Sequence, residues 1–231
     1  MKTKFLHFIM LLFMLSAGTS IGVYSQSKSI NTKNPGQKKT GTIQLFNNKD
    51  LSNWVFKLKD PSVDPSTVFK VQNEVIQIAG FPFGYMRTKD SYSDYTLHVE
   101  WRWPDGPGNS GVFVHTQVQD TNAIKVIEVQ LASGNAGDFM CSKGVYMEEC
   151  AGNPNRTVKK LAASSEKPAG EWNYMDIICN GNTIEVTVNG EFQNKGTGLS
   201  LTGGYICLQS EGRLIEFRNI TLTKLKKTAP K

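Results

Sequence analysis

The run VIEVQL (Val126–Leu131) alternates apolar and polar residues with the period of a strand, so Ile127, Val129 and Leu131 fall on one face and Val126, Glu128 and Gln130 on the other. A carboxylate on the non-core face can act as a general base if aromatic walls shelter it, because burial raises its pKa toward neutrality. The same pattern also fits a solvated carboxylate on an outer face. Just upstream, GNSGVFVH (Gly108–His115) opens with Asn109 and Ser110, then carries Gly111, which lets another group approach the backbone closely. Alternation places Phe113 and His115 together, with Val112 and Val114 opposite. His115 titrates near neutrality in its ordinary state and could act as acid or base. Read as structure alone, Asn109-Ser110-Gly111 is a turn that starts a strand.

The elements that must position these groups read as strands almost throughout. In YTLHVEW, Tyr95, Leu97, Val99 and Trp101 share one face while Thr96, His98 and Glu100 share the other. Strand-like runs recur at 67–71, 74–79, 112–115, 126–131, 204–209 and 214–223. Asn180-Gly181 and Asn189-Gly190 mark hairpins, because a type I′ turn needs positive φ at both central positions. No amphipathic helical stripe is evident in the body of the chain, so the class is all-β: a two-sheet antiparallel sandwich or jelly roll. One stretch, 132–167, breaks the rhythm with four glycines and only a short GVYM run. A segment that long is expected to wall a cleft.

The ends differ from the middle. Residues 1–25 have two lysines, an apolar run from Phe5 to Leu15 and then small residues, the layout of a secretory signal peptide. That run is shorter than the roughly 20 residues a membrane-spanning helix needs, so stable membrane insertion is not expected. Residues 26–40 read as a flexible polar leader, 41–225 as one domain and 226–231 as a basic tail. The chain is expected to be exported, to the periplasm or the extracellular space. Of its 26 basic residues, six lie in 1–40 and four in 221–231, with no acid in either, which leaves 16 basic against 20 acidic residues in 41–220. The net charge of +6 therefore belongs to the ends, and nucleic acid is not an expected partner. Of the four cysteines, Cys141 and Cys150 are the expected disulfide, while Cys179 and Cys207 lie in apolar strands as buried thiols.

The ordered motifs LFNNKDLSNW (Leu45–Trp54), TKDSYSDYTLHVEWR (Thr88–Arg102), GNSGVFV, IEVQ, KGVY (Lys143–Tyr146), GEWN (Gly170–Asn173), VNG (Val188–Gly190), GYICLQSEG (Gly204–Gly212) and EFRNI (Glu216–Ile220) together resemble the 3-keto-disaccharide hydrolase domain family. The resemblance implies a concanavalin A-like or laminin-G-like jelly roll acting on glycosides already oxidised at C3. The carbonyl acidifies the C2 hydrogen, a base removes it, the C1 substituent leaves by elimination, and water adds later. Such chemistry needs a base, an electrophile for the enolate oxygen and donors for sugar hydroxyls. It does not need two carboxylates straddling the bond.

On this resemblance Glu128 is the base, and Tyr146 could donate to the enolate or simply fill the loop. Asn109, Gln130, Trp172, Asn173, Gln209 and Arg218 are sugar-contact candidates. For Trp172 the alternative is a core tryptophan, and for Arg218 a salt bridge to Glu216 or another acid. The chemistry allows a divalent metal as electrophile. Three positions depart from the family pattern: His115 where an arginine is usual, Ser133 where an acid is usual, and Glu211 where a histidine often stands. The competing reading is a non-catalytic lectin-like module, which the fold cannot distinguish from an enzyme.

Overall fold

The computed structural model describes residues 39–118 and 124–226. The expected signal peptide, the expected leader up to residue 38 and the tail after Lys226 lie outside the described residues. The domain is a sandwich of two antiparallel sheets. The eight-stranded sheet runs β13 (Glu191–Gly196), β12 (Thr183–Val188), β11 (Asn173–Asn180), β6 (Tyr95–Arg102), β15 (Ile215–Leu225), β4 (Val75–Ile78), β3 (Phe69–Gln72), and β1 (Lys39–Gln44) also pairs with β15. The seven-stranded sheet runs β10 (Thr157–Val158), β9 (Phe139–Cys141), β8 (Ile124–Gln130), β7 (Gly111–Val118), β14 (Tyr205–Ser210), β5 (Gly84–Thr88), β2 (Trp54–Leu58).

The core lies between the sheets and follows the period-two pattern. Tyr95, Leu97, Val99 and Trp101 of β6 are fully buried against Val112, Val114, Ile127 and Val129 of β7 and β8. The β11–β12–β13 meander forms, with Asn189 at φ 51° and Gly190 at φ 85° in the second hairpin, as a type I′ turn requires. The first hairpin differs from expectation. Asn180 pairs with Thr183, so Gly181 and Asn182 are the central residues, and only Gly181 has positive φ.

Two further expectations are corrected. The run 67–71 is not all strand, because Asp64 accepts a hydrogen bond from the Ser66 amide at 2.9 Å and caps a helical turn, Pro65–Val68, before β3 begins. Cys141 and Cys150 are thiols with their sulfurs 3.5 Å apart, not a disulfide. The long stretch 132–167 is also more ordered than a loop. It supplies β9, which extends the seven-stranded sheet beside β8, and it buries Phe139, Val145 and Met147 in the core.

Candidate functional site

Glu128 stands near the middle of β8 on the solvent side of the seven-stranded sheet, level with Phe113 of β7 and Met140 of β9. The face continues across β14 and β5, where Cys207 pairs with Arg87 and Gln209 with Tyr85. Tyr85, Phe113, Val126 and Cys207 form a second apolar cluster here, separate from the core between the sheets, with the Tyr85 and Phe113 rings 6.4 Å apart. Glu128 is only 7% exposed and Gln209 only 3%. An apolar floor carrying a few polar groups is the usual composition of a small-molecule site.

Gly111 lets this carboxyl lie flat. A Cβ there would meet Glu128 Cγ at 2.8 Å and Cδ at 2.9 Å, and would collide with Oε1. The side chain therefore crosses β7 toward β14, where the pairing of Leu208 with Val112 sets Gln209 level with Gly111. Asn109 bridges to Gly212, which draws the segment after β14, Glu211 included, to the same end of the sheet. Burial, reinforced by the negative charge of Glu211, pushes the Glu128 carboxyl up to about 7. It is thus poised to take and return a proton near neutral pH.

Two acceptors at this site lack a donor. Gln209 Oε1 and Asn109 Oδ1 are buried without a hydrogen-bond partner among the described residues, each at a cost of about 1–3 kcal/mol. A ligand hydroxyl is the kind of donor that would satisfy them. Gln130 lies at the edge of the same face, and its Oε1 accepts from the Leu131 and Ala132 amides at 2.9 and 2.8 Å. Ser133, one of the departures, serves the structure. Its hydroxyl accepts from the Gly108 amide at 3.0 Å and its own amide donates to Gly108 O at 3.0 Å, fixing the turn that carries Asn109. Among the described residues no three of His, Cys, Asp and Glu converge on a metal position.

Five of the residues proposed from sequence lie elsewhere. His115 does not share a face with Phe113, because β7 bulges between Val114 and Gln117 and His115 itself has φ 53°. Its ring turns inward, edge-on to Tyr95 at 5.9 Å, and its Nδ1–H donates to Leu201 O at 2.7 Å. Tyr146 is half exposed, its backbone tied to Ser200 and not to the Glu128 face. Arg218 and Trp172 belong to the outer side of the other sheet. The guanidinium groups of Arg218 and Arg102 lie 4.0 and 4.8 Å from the Trp172 ring centre, and Arg218 Nε donates to Glu100 Oε2 at 2.6 Å. Trp172 is thus neither core nor cleft, and the salt-bridge alternative describes Arg218, with Glu100 as partner. Asn173 is buried, its Oδ1 accepting from the Lys167 amide and from Asn189 Nδ2, both at 2.8 Å.

Sequence reasoning passed over Tyr85, Arg87 and Tyr205. The Arg87 guanidinium stacks 4.2 Å from the centre of the Tyr205 ring, on the same face as Cys207. Alternation in GYMRT, with Met86 in the core, could have put Tyr85 and Arg87 on the outer face.

Comparison with known proteins agrees with this architecture. Residues 41–223 match the model of the 3-keto-alpha-glucoside-1,2-lyase-like domain. No curated protein sequence matches the chain. Two proposed glycosyl hydrolases of Parabacteroides distasonis ATCC 8503 share the fold. One is 19% identical with a TM-score of 0.59, covering 80% of this chain and 95% of its own; the other is 23% identical with a TM-score of 0.57, covering 80% and 100%. The carbohydrate binding module CBM66 of Bacillus subtilis, 12% identical with a TM-score of 0.54 over 74% of this chain and 94% of its own, has it too.

Proposed function

Since the chain belongs to the family of 3-keto-alpha-glucoside-1,2-lyase-like domains, we propose that it is an exported carbohydrate-active enzyme that cleaves 3-keto-glycosides, with Glu128 as the base. The observation that carries this reading is the Glu128 carboxyl, held out of water across Gly111 on an apolar floor, with its pKa near 7. A lectin-like module has no need of a buried, protonatable carboxyl at the centre of its binding face.

In the proposed reaction Tyr85 and Phe113 take the C–H face of the oxidised ring, while the amides of Asn109, Gln130 and Gln209 hold its oxygens. Glu128 removes the C2 proton, and the C–H electrons form the C2–C3 double bond of an enolate whose oxygen the side-chain amide N–H groups stabilise. The enolate then collapses. A C1–C2 double bond forms, the C3 carbonyl returns, and the C1–oxygen bond breaks. The protonated Glu128 returns its proton to the departing oxygen, and water adding across the new double bond completes hydrolysis. A carboxyl of pKa near 7 serves both proton transfers, and a positioned general base typically contributes 10²–10⁴-fold.

The test is to mix purified protein with a 3-keto-glucoside and follow enone absorbance and aglycone release. Wild type releases the aglycone, and Glu128→Gln loses most of that rate. Full activity in Glu128→Gln would remove Glu128 from the mechanism.

A further inference from the structure

At the end of β7 and β14 opposite Gly111 lies a recess of about 380 Å³, lined by Ser91, Tyr92, Ser93, Gln117, Gly204 and Tyr205 among others. Its walls are fastened to one another. A Cβ on Gly204 would fall 2.5 Å from the His115 carbonyl carbon and 2.6 Å from Thr116 O, so only glycine lets this strand end approach the bulge in β7. Tyr92 and Gly204 exchange backbone hydrogen bonds of 2.8 and 3.0 Å, which hold the Ser91–Ser93 segment in place. Gln117 Nε2 donates to Gly203 O at 2.6 Å. The recess is therefore largely preformed, which reduces the ordering cost of binding.

Its lining is uncharged among the described residues. Hydroxyls, an amide, backbone and two tyrosine rings form it, with no acidic or basic side chain among these residues. Arg87 is not part of the lining, and its guanidinium stacks on the Tyr205 ring at 4.2 Å. Such a lining suits an uncharged polyhydroxylated ring, with tyrosine for the C–H face and small hydroxyls for its oxygens.

The recess also shares a floor with the Glu128 site. Tyr205, Cys207 and Gln209 alternate along β14 onto one face, and Gln209 lies level with Gly111. Four residue steps along the strand lead from Tyr205 to Gln209, a span of about 13 Å at about 3.3 Å per step, longer than a single pyranose ring. We propose that the recess is a distal subsite for a further uncharged sugar ring of the same substrate, so that this chain acts preferentially on oxidised oligosaccharides over oxidised glucosides with small aglycones. This deepens the functional reading above and rests on it.

Two measurements test it. The first titrates isotopically labelled wild-type protein with an unoxidised gluco-oligosaccharide, recording amide shifts by NMR. Shifts at 91–93 and 203–205 are expected by about 1 mM ligand, and their absence overturns the subsite whatever the catalytic result. The second compares kcat/KM for a 3-keto trisaccharide and for a 3-keto aryl glucoside in wild type, in Ser93→Trp, which fills the recess, and in Tyr205→Ala, which removes its floor. Both variants should reduce the preference for the longer substrate about tenfold. A preference that stays the same in both overturns the proposal. If no 3-keto-glycoside is turned over but the amide shifts appear, the reaction assignment fails while the sugar site stands.

Discussion

Glu128 and Gly111 are complementary across two strands: the carboxyl of one occupies the space in which the other would carry a Cβ. A glycine inside a strand weakens the strand and contributes no packing. Here it makes room for a long acid to lie flat on the sheet, screened from water, with Glu211 as a like-charged neighbour. The same glycine brings β7 backbone, and not a side chain, under whatever ring binds there.

Gly111→Ala is therefore expected to uncouple folding from turnover. The methyl group has no free space and must displace the Glu128 carboxyl, an overpacking that costs about 1–3 kcal/mol. Misplacing a base by about 1 Å can cost on the order of 10²-fold in rate. Circular dichroism should remain that of the native sandwich while the turnover of 3-keto-glucoside collapses. Wild-type turnover in this variant would show that the carboxyl does not need its seat over Gly111.

The raised Glu128 pKa also links to stability. A carboxyl whose folded pKa of about 7 exceeds its ordinary value of 4.5 holds its proton longer in the fold, so stability falls as pH rises through that window and levels off above it. A shift of that size corresponds to roughly 3 kcal/mol as an upper bound. Glu128→Gln escapes the penalty. Melting curves should show the variant a few degrees more stable than wild type at pH 8 and close to it at pH 4.5. Equal melting temperatures at pH 8 would mean that the carboxyl is well solvated.

Much of this arrangement was legible in the sequence. Alternation in VIEVQL and YTLHVEW sorted core from outer face correctly, because both strands keep their period, even though β8 is buried on both faces at its middle while β6 alternates. The pattern failed where the backbone leaves its period. At His115 a bulge inserts residues without changing composition, and the ring turns inward. Trp172, Asn173 and Arg218 look like sugar contacts one by one, but β15 and β11 belong to the sheet opposite Glu128, which puts Trp172 and Arg218 on that sheet's outer side, while Asn173 alternates with Met175 and Ile177 toward the inside. The cysteine pair is near in space as spacing suggests, yet proximity in sequence does not reveal the bonding state. Gly111 was legible only as a place of close approach. What approaches it depends on the register of β7 against β8.

The charge of Glu211 helps to keep Glu128 protonated. Neutralising it should lower the Glu128 pKa. If Glu128 is the base, kcat/KM for a 3-keto-glucoside rises with pH and levels off above about 7. In Glu211→Gln this acid limb should move to lower pH, so the variant is relatively more active at pH 5.5 than wild type. A limb that stays in place would assign the whole elevation to burial.

His115 makes a separate, structural prediction. The Leu201 carbonyl can only accept, so Nδ1 carries the proton, and Nε2 is left as a buried acceptor without a donor among the described residues. Burial pulls the imidazole pKa below 6.5. A group with a depressed folded pKa of this kind is stable neutral in the fold, and the stability it confers is lost as pH falls below 6.5, when the unfolded chain takes up a proton more readily. His115→Asn tolerates the positive φ and cannot titrate, so it should flatten the stability profile below pH 6.5. His115→Ala leaves a cavity against Tyr95 as well, and should lose about 2 kcal/mol or more by urea unfolding. Neither change touches the face that carries Glu128, so the pH dependence of kcat/KM should match that of wild type. A displaced kinetic profile in His115→Asn would mean that this imidazole takes part in proton transfer despite its inward orientation.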